Sequence, residues 1–169
     1  MAKRVHTKIG DVFSVKIDEG NRKYFQLIAY DLTQLNSDVI RVFKKKYHVD
    51  ENPDLSKVIK GEVDFHAHCV TKFGIKLDLW EKIGNSPNID SISNVLFRDT
   101  NDYGSGPNEE PVKISHNWFI WHINDETFTR VGKLQGENRK AEVGVIMPPF
   151  AIIERIKTGK FNFVYPNFE

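Results

Sequence analysis

The chain has 169 residues, 40% of them hydrophobic and 28% charged, with a formal net charge of +1; this is long enough to bury a core unaided and far from the composition of a disordered chain. Cys69 is the single cysteine, which excludes an internal disulfide, and no apolar run approaches the roughly 20 residues that span a bilayer. The basic start, Met1 to Lys8, is not followed by the apolar stretch of a signal peptide, so the expectation is a cytoplasmic protein with no membrane partner.

From Gly10 the pattern is β-like: Val12, Phe13, Val15 and Ile17 surround Ser14 and Lys16, and Asp18-Glu19-Gly20-Asn21 supplies turn chemistry. Tyr24 to Tyr30 reads as the second strand of a hairpin, and Val39 to Phe43 as a third strand after Asn36-Ser37-Asp38, which makes a meander the economical topology. Asn52 to Gly61 has an N-cap candidate in Asn52, a proline at the first helical position, apolar spacing at Leu55, Val58 and Ile59, and a terminating glycine, and is predicted as a short helix. Val63 to Val70 alternates like a strand. Phe73 to Ile83 fits both a strand, through Ile75, Leu77 and Leu79, and a helix, through Leu79, Trp80 and Ile83.

Further strands are predicted at Val95 to Phe97, at Trp118 to Ile123 with Thr127 to Val131 as a hairpin, and at Ala141 to Met147. Residues 99–111 between them are polar and rich in Gly and Pro, one long loop of the length at which loops carry function. Pro148-Pro149 opens a second helix with Ile152, Ile153 and Ile156 along one face and Gly159 as its C-terminal cap. Phe161 to Tyr165 alternates and is expected to close the sheet. The predicted fold is α+β and β-rich, a mostly antiparallel, strongly bent sheet or partly open barrel with two short helices; no repeat or linker divides residues 1–169, so one domain is expected.

Few residues suggest chemistry. Asp64, His66 and His68 fall at i, i+2 and i+4 of a strand, so a carboxylate and two imidazoles share one face, a weak metal candidate beside the reading of a polar sheet face with Phe65, Ala67 and Cys69 turned to the core. Cys69 at that inward position reads as a small apolar residue. Gly104-Ser105-Gly106 lacks the strand-to-helix setting of a phosphate loop, and no nucleophile elbow occurs. No catalytic residue and no cofactor are expected.

Ten Lys and Arg against five Asp and Glu in residues 1–46 leave that stretch at +5 and the remainder at −4. Lys44-Lys45-Lys46 and the aromatics Trp118, Phe119 and Trp121 are the features a nucleic-acid module would use, but the charge excess is small for that and the alternation places at least one aromatic face in the core, so nucleic acid is disfavoured. Asp99, Asp102, Glu109 and Glu110, with Tyr103 among them, give the long loop an acidic face suited to steering a basic partner.

Ile9 to Ile17, the turn at Asp18-Glu19-Gly20, then Tyr24-Phe25-Gln26-Leu27 and Ile40-Arg41-Val42-Phe43 resemble the opening of the immunity protein 26 family of bacterial polymorphic toxin systems. The resemblance implies a protein that protects the producing cell by binding a cognate toxin as a stoichiometric inhibitor, with no catalytic residues. Asp99, Asp102, Tyr103, Glu109 and Glu110 are then the candidate partner-binding residues. Two alternatives stand beside it: a small metal-dependent enzyme using Asp64, His66 and His68, and a nucleic-acid-binding module.

Overall fold

Alternation in the first forty residues becomes three antiparallel strands, β1 (Asp11–Lys16), β2 (Asn21–Asp31) and β3 (Ser37–Phe43). In a computed structural model of the chain, which describes residues 4–103 and 107–169, they form the expected meander, with Phe13 opposite Phe25 and Phe25 opposite Val42. Residues 1–3 of the basic start, and Gly104-Ser105-Gly106, lie outside the described residues. A short β4 (Tyr47–His48) pairs with the start of β2, β5 (Val63–His68) lies beside β3, and β6 (Glu81–Asn85) beside β1, giving a six-stranded sheet with the path β5-β3-β2-β1-β6.

A second sheet has the order β10-β7-β8-β9, from β7 (Leu96–Thr100), β8 (Trp118–His122), β9 (Thr129–Gly132) and β10 (Glu142–Val143). The β-rich, mostly antiparallel α+β class is therefore present, with its strands divided between two sheets, neither closed into a barrel. Among the strands of the described residues, only β10 runs parallel to its neighbour.

Among the described residues there are three α-helices. α1 (Leu55–Val58) is capped by Asp54, whose carboxylate accepts the Ser56 N–H at 2.9 Å, so the cap lies two residues beyond the expected Asn52. α2 (Thr71–Lys76) resolves the ambiguous stretch: its first part is helical and β6 follows. Close packing explains it, since Gly74 lets the Trp80 indole lie directly on the helix, where a Cβ would overlap the ring. α3 (Pro149–Thr158) has the expected proline start and ends at Gly159 in the left-handed region, φ 86°.

α2 and α3 cover one face of the larger sheet. Phe13, Phe25, Val42, Phe65 and Ala67 meet Trp80, Met147, Ile152 and Ile156 there, with Phe25 stacked on Phe13 at 4.9 Å and edge-on to Trp80 at 5.0 Å between centroids. Aromatic pairs of this geometry contribute about 1 kcal/mol beyond the area they bury. The opposite face is covered by α1 over Tyr24 and Phe43 and, further along, by the second sheet over Ala29 and Val39.

Two expectations need correction. Ala141 to Met147 is not one strand: β10 is two residues long and Gly144 follows, where a side chain would collide with Trp121, so the segment rejoins the larger sheet only as an isolated bridge from Ile146 to His68. Phe161 to Tyr165 does not close a sheet. The tail crosses the molecule as irregular chain, and its one bridge, from Asn167 to Ile114, is parallel to the return arm of the long loop.

Candidate functional site

Strand β5 places Phe65, Ala67 and Cys69 in the core, as their parity requires, and burial pushes the Cys69 thiol up, keeping it protonated. Its other parity does not assemble a site. Asp64 turns to Lys23, 3.5 Å away, while His68 turns to Asp31. Among the described residues no three His, Cys, Asp or Glu side chains gather where they could hold a metal ion. His66 stands beside Arg41 in register and lines a cleft of about 570 Å³ between the sheets, together with His122, Asn138 and Glu142. Burial, with the Arg41 and Arg155 guanidinium groups adding to it, lowers the His66 imidazole to about 4, so it is neutral at pH 7.

The strongest polar arrangement was not visible as a motif. Asp31 ends β2 fully buried, and its Oδ2 accepts His68 Nε2–H at 2.8 Å and Trp121 Nε1–H at 3.1 Å, while Oδ1 takes the Asn124 N–H at 3.3 Å. The second sheet is thereby tied to the first. Burial raises the Asp31 carboxyl, but the hydrogen bonds from His68 and Trp121 outweigh it and hold the group below the usual carboxylate range. Burial likewise dominates at His68 and lowers the imidazole against the pull of Asp31. An ionised Asp31 and a neutral His68 protonated on Nε2 satisfy both, because His68 Nδ1 is buried with no hydrogen-bond partner and a proton there would be stranded. These groups are engaged with one another and with apolar rings, Phe97 lying 4.1 Å from the His68 ring between centroids. The geometry is that of a structural knot.

In the acidic loop the candidate residues divide. Asp99 is half-buried, and its Oδ1 accepts from the hydroxyls of Tyr103 and Tyr165, the latter at 3.1 Å, and Thr100 N–H donates to it at 2.8 Å. Burial raises the Asp99 carboxyl against those bonds, and burial with Asp99 beside them raises both tyrosines. Asp102 Oδ2 accepts from Ser115 Oγ at 2.8 Å and Asn117 Nδ2 at 2.9 Å, pinning the outgoing arm to the returning one. Glu109 and Glu110 are exposed. So Asp99, Asp102 and Tyr103 shape the loop, and Glu109 and Glu110 face outward. Tyr165 and Ser115, which complete the latch, had no local signal in the sequence.

The other candidate interface dissolves. Trp118 and Trp121 are both buried, Lys44 pairs with Glu62, and Lys45 lies over the Tyr47 ring at 4.6 Å, so these side chains do not form a joint platform for bases.

These features place the chain among β-rich, mostly antiparallel α+β proteins with two sheets. A family model described as immunity protein 26 matches residues 8–105, and the chain belongs to that family. The match contains the entire six-stranded sheet and ends within the acidic loop, so the resemblance first seen over residues 9–43 extends through β7. No curated protein and no solved structure matched the chain.

Proposed function

We propose that the chain neutralises one cognate toxin protein by binding it stoichiometrically in the cytoplasm of the producing cell. Membership of the immunity protein 26 family carries this reading, and it points to a non-enzymatic role. The loop of residues 99–112 supports it: four carboxylates and no lysine or arginine lie in that span, so its field attracts a basic surface and accelerates encounter. Within it Glu109 and Glu110 make the outward contacts, and Asp99, Asp102 and Tyr103 fix the shape presented. No helix among the described residues is long and apolar enough to cross a membrane.

Co-expression tests the reading. Cells producing the toxin domain encoded beside this chain survive when the chain is present and die when it is absent; equal death in both cultures contradicts it for that toxin.

A further inference from the structure

The tail and the acidic loop are one structural unit. Asn167 N–H donates to Lys113 O at 2.8 Å, and Ser115 N–H donates to Asn167 O at 2.9 Å. Tyr165 reaches Asp99 at the base of the loop and packs against Tyr103 and Trp118, each 5.8 Å away between centroids. Phe161, Phe163 and Tyr165 follow one another as an aromatic ladder with spacings of 5.9 and 5.4 Å, and Glu169 closes the end on Arg139. Because the bridge between Ile114 and Asn167 is parallel, residues 109–113 and 162–166 approach it from the same side.

That arrangement leaves apolar side chains in solvent. Val164 is 70% exposed, Ile114 49% and Phe163 41%, on two segments that the backbone bonds of Asn167 join, and the loop arm ending in Ile114 also carries the exposed Glu109, Glu110 and Lys113. Exposed apolar side chains near carboxylates are the anatomy of a protein-docking surface, and the contacts of Phe163 with Phe161 and Tyr165 lower the ordering cost of binding. Their position relative to the family match is the second observation. The matched residues end at 105, so the return arm of the loop and the whole tail lie beyond it.

We propose that Ile114, Phe163 and Val164, rimmed by Glu109 and Glu110, form the surface that selects the cognate toxin, docking on a patch of that toxin with an apolar centre and a basic rim. This rests on the toxin-binding reading and adds the tail to it. The six-stranded sheet is the common scaffold, and the tail with the return arm gives partner identity. The apolar side chains set the lifetime of the complex and the carboxylates set the rate at which it forms.

The experiment measures association and dissociation rates between the full chain and the catalytically inactivated toxin domain encoded beside it. Ile114→Ser combined with Val164→Asn, both at exposed positions outside the aromatic ladder, is expected to speed dissociation at least tenfold with an unchanged melting temperature. Glu109→Lys combined with Glu110→Lys is expected to slow association and weaken its dependence on salt. If wild-type and both variants bind with the same rate constants, the surface is wrong and toxin binding stands. Failure of the wild-type chain to bind that toxin overturns both. Should the first variant lose stability, Val164→Arg on its own replaces it: at a 70% exposed position the fold is spared, and an unchanged dissociation rate refutes the proposal.

Discussion

Asp31 shows how much one buried carboxylate organises. Its partners lie 37 and 90 residues away in sequence, at His68 and Trp121, so no window along the chain could reveal them. His68 itself was legible as a strand residue opposite in parity to Ala67, and its orientation was not. Replacing Asp31 by Asn leaves His68 and Trp121 donating to a neutral group that also brings donors of its own, and the expected loss is about 2–4 kcal/mol of unfolding free energy, measured by chemical denaturation. A loss below about 0.5 kcal/mol contradicts the knot. His66 gives a pH dependence of definite sign. In the unfolded chain it takes a proton near 6.5, and in the folded protein only near 4. Between those values the unfolded state binds more protons, so stability is fully present above about 6.5 and falls as pH drops toward 4, by on the order of 3 kcal/mol from this residue. His66→Gln is expected to flatten that part of the stability profile, and an unchanged slope contradicts the assignment.

At the scale of elements, the strands of the meander and the helix α3 were legible because local chemistry and tertiary packing agree there: alternation meets a buried sheet, and proline start meets glycine stop. Disagreement explains the failures. Gly74 weakens a helix by intrinsic propensity, and the alternation of Ile75, Leu77 and Leu79 imitates a strand; what decides for α2 is the Trp80 ring, packed where only a glycine leaves room. On an open helix Gly→Ala stabilises by up to about 1 kcal/mol. Here Gly74→Ala is expected to cost about 2 kcal/mol, because the methyl group must displace Trp80 from its hydrogen bond to Thr71 O, 2.9 Å long. A thermal melt with the variant above wild-type would refute this packing account. The tail misled for a related reason: its alternating aromatics look like a strand, but they pack edge-on or tilted against one another and against Tyr103 and Trp118 instead of pairing backbone with a sheet.

For the whole molecule, the family was readable from the first hairpin and the next strand, because those residues form the centre of the sheet that the family match encloses. The recognition surface we propose is readable only in part. Its charge stands in the sequence at Glu109 and Glu110, whereas the bonds from Asp99 to Tyr165 and from the return arm to Asn167 join segments more than fifty residues apart. The central claim is neutralisation by occupancy, which differs from an enzymatic antidote in its stoichiometry. Titrating the purified chain into a fixed amount of the active neighbouring toxin domain separates the two most directly. The expected result is a linear loss of toxin activity that is complete at a fixed molar ratio and independent of incubation time. Progressive inactivation by a small fraction of an equivalent, or full toxin activity at a large excess of the chain, would contradict it.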